Sequence, residues 1–245
     1  MIAAARAASA QAGWPRRVVA ELLDELPPDD PRALRSRRDL RLVNRIMGHS
    51  ALLARALDDV MTGPAPRLVE LGAGDGTLLE RLARRRARRW PHAAVTLLDA
   101  QPTVTHATLA ALRDLGWTAD VVAADALEWL ERSRPDRDAV VVANLFVHHF
   151  EGERLARLLA GVAAQATAFV CCEPRRARLA LAGSHLLWAI GCNDVTRHDA
   201  VVSVHAGFRD RELTAEWRRA AGAGWTAYEK PAGAFSHLFV ARRAP

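Results

Sequence analysis

From residue 67 onward the chain alternates between short apolar runs and longer stretches whose apolar residues share one helical face. The apolar runs are RLVELG (67–72), AVTLLDA (94–100), TADVVAAD (118–125), DAVVVANLF (138–146) and TAFVCCEP (167–174). Between them lie GTLLERLARRRARRW, TVTHATLAALRDLG (103–116), ALEWLERS and GERLARLLAGVAAQA. In the first of these, Leu78, Leu79, Leu82, Ala83 and Trp90 cluster on one side of a helix. Runs of Val, Leu and Ala without polar alternation are expected where both faces of a strand are covered. Strands alternating with helices predict a right-handed, doubly wound parallel sheet of the α/β class. Near the end, WTAYEKPAGAFSHLFVARR (225–243) reads as two strands around Pro231–Gly233. A terminal hairpin follows, and the sheet should finish with an antiparallel edge strand, seven strands in all.

Two segments fall outside this alternation. Residues 1–66 read as helical, broken into two parts by Pro27, Pro28 and Pro31, the second containing RDLRLVNRIMGHSALLARALDDV. They are expected to form a lid or a dimer arm in front of a main domain at 67–245. Residues 175–217 hold an apolar helix, LALAGSHLLWAIG, and a polar stretch, CNDVTRHDAVVSVHAGF.

Composition changes this picture little. At 245 residues, half apolar and a quarter charged, the chain is an ordinary globular one with room for a sizeable core. No run of about 20 apolar residues suggests a membrane span. The Ala-rich start lacks the apolar centre of a secretory signal, so a cytoplasmic location is expected, with a frayed or helical N-terminus. The net charge of +6 comes almost wholly from arginine, Lys230 being the only lysine. The densest cluster, ERLARRRARRW, suits the solvated C-terminal turn of a helix better than a nucleic-acid surface. Cys171, Cys172 and Cys192 form no CxxC pair and read as reduced thiols; no metal-ligand spacing is present, so no metal is expected.

The stretch with chemistry in it is RLVELGAGDGTL (67–78). Closely spaced glycines between a strand and a helix bring bare backbone and a positive helix end to a ligand. A phosphate-binding P-loop would need a lysine there, and a dinucleotide fingerprint would need Gly or Ala where Thr77 stands. The pattern is E-x-G-x-G-x-G, from Glu70, Gly72, Gly74 and Gly76. With the runs that follow, the chain resembles the class I S-adenosylmethionine (SAM)-dependent methyltransferases, by motif over about 67–173 and by element order to the hairpin. The resemblance implies a Rossmann-like fold and SAM as cofactor. It places Glu70 and the three glycines around the methionine portion, and Asp99, with Ala100 beside it, on the ribose hydroxyls. Asp125 would take the adenine amino group, with Ala126 and Leu127 along the ring. Asn144, in DAVVVANLFVHHF, would contact the methionine end.

For the reaction itself, His148 and His149 are candidate proton acceptors just past the fourth strand, because histidine titrates in the right range. His198, Arg197 and Asn193 form a second polar cluster, in a segment that usually covers the substrate in the resembling family. Glu173 and Arg175 end the fifth strand on the same edge; Trp188, Trp14 and Phe208 would give flat apolar walls. The loop after the fourth strand lacks the N/D-P-P-Y/F and Pro-Cys signatures of base- and amide-methylating enzymes. A small-molecule acceptor follows by elimination, hydroxylated and hydrophobic, aromatic or polyketide-like. Methylation of a quinone or polyketide carbon stands next. An RNA methyltransferase and a non-methylating SAM-fold protein are less favoured, as are nucleic acid and membrane partners; a homodimer is left open.

Overall fold

The computed structural model of the protein describes residues 14–61, 66–132 and 139–244. The reading of 1–13 and the first residue of the fourth run, Asp138, lie outside these. Seven strands make one sheet: β1 (Arg67–Leu71), β2 (Ala94–Asp99), β3 (Thr118–Ala123), β4 (Ala139–Asn144), β5 (Ala166–Pro174), β6 (Trp225–Ala232) and β7 (Ser236–Arg243). Their order is β3-β2-β1-β4-β5-β7-β6. β1 to β5 are mutually parallel, and β7 runs antiparallel to both β5 and β6. The predicted architecture is the observed one, with two differences. The strand set antiparallel to β5 is the internal β7, and β6 takes the edge. β7 carries the buried run Leu238–Ala241, whereas β6 contains Pro231, which an edge strand tolerates. β3, expected to be covered on both faces, is the opposite edge and is largely exposed.

Between β1 and β5 run α4 (Thr77–Arg86), α5 (His106–Asp114), α6 (Ala126–Arg132) and α7 (Gly152–Gln165). They cover the two faces of the sheet and divide its residues. In β4, Val140 and Val142 join a core with Leu53, Leu57, Leu79 and Leu82. Val141 and Ala143 join the other, with Leu155, Leu158, Phe169 and Trp217. The period of two along a strand sends neighbours to opposite faces, so a doubly covered strand must be apolar throughout. The same rule separates Cys171 from Cys172, both buried free thiols on opposite faces. Burial pushes the Cys172 thiol up to about 12. The arginine cluster is a solvated helix end, as expected: Arg84 pairs with Glu80, and Arg86 and Arg89 with Asp58.

The N-terminal part departs from expectation. Residues 14–20 are not helical, and α1 (Leu22–Glu25) is a single turn. α2 (Pro31–Ile46) starts with proline at its first position behind the capping Asp30. It ends at Gly48, whose left-handed φ of 68° separates it from α3 (His49–Val60). Beyond β5 come α8 (Arg178–His185), a 3₁₀ turn at Leu187–Ile190, α9 (Asp194–Ala206) and α10 (Glu212–Ala221). The polar stretch from Cys192 is therefore mostly helix. Asn193 caps it, accepting from the Thr196 N–H at 2.9 Å, and Val195, Thr196, Asp199 and Val204 give it a buried side.

Trp217 of α10 stacks on Phe169 at 5.6 Å and meets Phe239 and Trp225. Truncation of such a fully buried aromatic costs about 3–5 kcal/mol. Trp217→Ala should therefore lower the denaturant midpoint by that equivalent, whereas Arg84→Ala, on an exposed pair, should change stability by about 1 kcal/mol or less.

Candidate active site

The strand order reverses direction between β1 and β4, and the loops after both meet at the carboxyl edge of the sheet. That is where open α/β sheets bind ligands. Past β1 the chain turns through Gly72, Gly74 and Gly76, with φ of 70°, 55° and 72°. Gly72 admits no side chain, because a Cβ there would stand 2.4 Å from the Phe146 ring. A Cβ on Gly74 would meet nothing within 4 Å, and its backbone lines a cavity of about 490 Å³. Gly76 packs behind this wall, against Leu97 and Thr108.

Glu70, Gly72, Gly74, Asp99, Ala100, Asn144, His148 and His149 all line the cavity, so most of the predicted site residues converge on it. Asp99 accepts from the Gly74 N–H and the Gln101 N–H, each at 2.8 Å. A carboxylate offers about four acceptor positions, so both oxygens retain capacity for hydroxyl donors. Glu70 is fully buried, and its Oε2 has no hydrogen-bond partner among the described residues. Burial, reinforced by Asp75 and Asp99, pushes its pKa well above the usual carboxylate range. An unpartnered buried carboxyl is costly; a cationic donor in the cavity would relieve it.

Past β4, Leu145 adopts a φ of 53°, a sparsely populated conformation for a branched side chain. The next residues form a 3₁₀ turn at Val147–His149. The carboxylate of Glu173, wholly buried at the end of β5, accepts from the N–H groups of Phe146, Val147 and His148 and from His148 Nδ1 at 2.8 Å. On the other side, His148 Nε2 stands 3.3 Å from Glu21 Oε1. Burial alone would lower the pKa of His148, but the hydrogen bonds to Glu173 and Glu21 outweigh it and raise it to about 9. The ring is thus a cation near neutrality in this arrangement, held between two acids, and a poor proton acceptor. His149 is partly exposed on the cavity wall. Its Nε2 lies 3.4 Å from Glu21 Oε1 without an aligned hydrogen bond.

The donors and acceptors around the cavity fit SAM. An orphaned acid at Glu70 suits the ammonium, acceptor oxygens at Asp99 suit two vicinal hydroxyls, and bare backbone at Gly72–Gly74 suits close approach of the methionine chain. Residues 68–166 match the family model described as a methyltransferase domain. Over that span, about two fifths of its length, the chain is similar to methyltransferase domains. Solved structures agree in fold. An O-methyltransferase family protein from Burkholderia thailandensis superposes with a TM-score of 0.57 at 19% identity, over 88% of this chain and 61% of that one. The plantazolicin methyltransferase BamL, solved with a triazolic desmethylPZN analog and SAH, gives 0.61 at 10% identity, over 91% and 92%. The mitomycin 7-O-methyltransferase MmcR gives 0.52 at 17% identity, over 91% and 60%. The chain thus spans less than two thirds of the first and third of these proteins. No curated protein matches the sequence.

Several residues expected to line the cofactor or substrate site lie away from the cavity. Asp125 is exposed and caps α6, its Oδ1 accepting from the N–H groups of Leu127 and Glu128; Ala126 is buried in the core behind it. Glu173 does not reach the cavity wall; it positions His148. His198 and Arg197 sit on the exposed side of α9, His198 bonded to Asp199 at 3.0 Å. Asn193 is occupied as the α9 cap and donates from Nδ2 to the Arg32 carbonyl. Trp188 is 63% exposed. Trp14 and Phe208 pack in the N-terminal docking contacts, on His205 and Arg16 respectively. The physical reason is common to the 193–205 cluster: a helix divides a dense polar stretch between its faces, and these side chains fell on the outer one.

The residue that sequence reasoning missed is Glu21. The segment carrying it is pinned by Arg16, which donates to the carbonyls of His148 and Phe150 at 2.8 and 2.9 Å. Asp199 takes the Leu22 and Leu23 N–H groups at 2.8 and 3.0 Å, and Ser203 donates to Glu21. No local pattern marks Glu21, since its partner is 127 positions away.

Glu70 yields a prediction with two opposed signs. An acid whose folded pKa is raised takes up a proton on folding, so its stability contribution falls as pH climbs above the unfolded value. The advantage of Glu70→Gln over wild type in ligand-free melts should grow between about pH 5 and about pH 8. Calorimetry should show the same variant binding SAM about tenfold or more weakly, as expected for a lost charge-assisted hydrogen bond.

Proposed function

We propose that the protein methylates a hydroxyl on a small hydrophobic acceptor, aromatic or polyketide-like, with His149 as the proton acceptor. The observation that carries this reading is a second, apolar cavity of about 160 Å³ beside the first. Leu40, Val43 and Ile46 of α2, Met47 just after it, and Ala180, Leu187 and Ile190 of the 178–190 segment line it. Leu23, Leu40 and Leu145 line both cavities, as do Glu21 and Ser203. In this reading the N-terminal helices and the insertion before the hairpin cover the acceptor, the lid rather than the dimer-arm alternative for residues 1–66. The walls are mostly apolar, with Phe235 as the aromatic member and Glu21, Ser36, Ser184, Asp199 and Ser203 as the polar ones, so the acceptor is selected by its apolar body and oriented by a polar end.

SAM supplies an electrophilic methyl group on a sulfonium. The chain's part is to position the acceptor oxygen, exclude water and receive a proton. Both histidines line the cavity; His149 is the less committed of the two, its Nε2 without an aligned hydrogen bond among the described residues, and the Glu21 carboxylate 3.4 Å away would stabilise the imidazolium formed. His148 is committed to Glu173 and Glu21 and positions the turn. The mitomycin 7-O-methyltransferase, of similar fold, is named for methyl transfer to an oxygen of a small molecule, which supports the reading. The pairing of Arg84, Arg86 and Arg89 with acidic neighbours supports a small acceptor over RNA.

A panel of phenols and polyketides incubated with enzyme and SAM should include compounds that gain one methyl by mass spectrometry, located on oxygen by NMR. Location on carbon would favour the alternative, and no gain across the panel would count against both. On a competent acceptor, His149→Ala should lower kcat about 100-fold or more with SAM binding retained, and His198→Ala should leave it near wild type.

A further inference from the structure

We propose that Glu21, His148 and His149 form a binding site for a divalent transition-metal ion of the zinc class on the wall of the cofactor cavity. Glu21 Oε1 lies 3.3 Å from His148 Nε2 and 3.4 Å from His149 Nε2. All three atoms lie within 4.8 Å of one another. Ligand atoms each about 2.0–2.2 Å from a tetrahedral ion are about 3.3–3.5 Å apart, so the two separations from Glu21 suit one ion held between the three groups.

The surroundings are those of a prepared site. Glu173 accepts from His148 Nδ1 at 2.8 Å, which fixes the tautomer and leaves Nε2 free to ligate once its proton is displaced. Ser203 donates to Glu21 and holds its carboxylate in place. His149 Nε2 is buried without an aligned hydrogen bond. Two imidazoles and one carboxylate favour zinc, cobalt, nickel or iron over magnesium or calcium. Three protein ligands leave a position open to the cavity, the arrangement of a catalytic rather than a structural ion.

The use of the ion rests on the methyl-transfer reading; its binding does not. With the acceptor hydroxyl as fourth ligand, the ion lowers that group's pKa and its proton leaves to solvent. The oxygen lone pair then forms the bond to the methyl carbon. The carbon–sulfur bonding pair stays on sulfur, giving the ether and S-adenosylhomocysteine. In the ion-bound protein His149 is a ligand and the ion activates the hydroxyl, and the role of His149 as proton acceptor belongs to the ion-free protein.

The test is titration of tag-free, chelator-stripped full-length protein with Co²⁺, followed by the visible absorption of low-symmetry cobalt. One equivalent should bind and be displaced by Zn²⁺. Glu21→Gln and His149→Ala, each verified as folded by circular dichroism, should weaken binding at least tenfold, and His198→Ala should not. Absence of a cobalt spectrum in wild type, or a spectrum unchanged in both variants, overturns the proposal. SAM calorimetry on the stripped protein reports separately on the cofactor reading. Cobalt binding without SAM binding would uphold the metal site and sink that reading; SAM binding without cobalt would do the reverse.

Discussion

Four N–H donors converge on the buried carboxylate of Glu173, three from the backbone at 146–148 and one from the ring of His148. Hydrogen bonds to a charged acceptor are worth about 1.5–3 kcal/mol each, and removing a buried charge that others depend on costs more than any one of them. The loop after β4 takes its shape from this anchor. Phe146 is thereby set against Gly72, where no side chain would fit. His148 and His149 are presented toward Glu21, and the turn becomes one wall of the cavity. The two cavities share Leu145, the residue that leads into this turn.

Around the anchor the molecule accepts local costs. Glu70 keeps a carboxyl oxygen buried and unpartnered, and Leu145 keeps a left-handed backbone. Natural proteins tend to break local rules at their working sites. Both residues line the cavity, while the well-satisfied parts of the chain, the two apolar cores, lie away from it. The N-terminal segment adds a further dependence. Glu21 reaches the site only because Arg16, Asp199 and Ser203 hold its chain across the end of α9. The site is therefore assembled from three distant parts of the sequence.

The sheet and its seat for a ligand were legible in the sequence because both are local patterns. Apolar runs of strand length, helical periods between them, and acids or glycines at strand ends survive without knowledge of the fold. Asp99 and Glu70 were placed on the cavity's edge this way. Asp125 resembles Asp99 in sequence, yet it caps α6 here, since an acid before a helix serves either purpose. The 193–205 cluster misled because helical phase decides which polar residues face inward. Glu173 was placed on the correct edge but one layer too deep to touch a ligand. Glu21 was beyond reach, since long-range contact leaves no trace in a single sequence.

The central claim is that bare backbone after β1, with Glu70 and Asp99 beside it, seats the cofactor. A crystal structure with S-adenosylhomocysteine tests it most directly. The account predicts the ribose hydroxyls on the Asp99 carboxylate, the ammonium at Glu70 and the thioether directed toward the turn at 147–149. A ligand bound elsewhere, or ordered in this cavity with Asp99 and Glu70 out of contact, would contradict it.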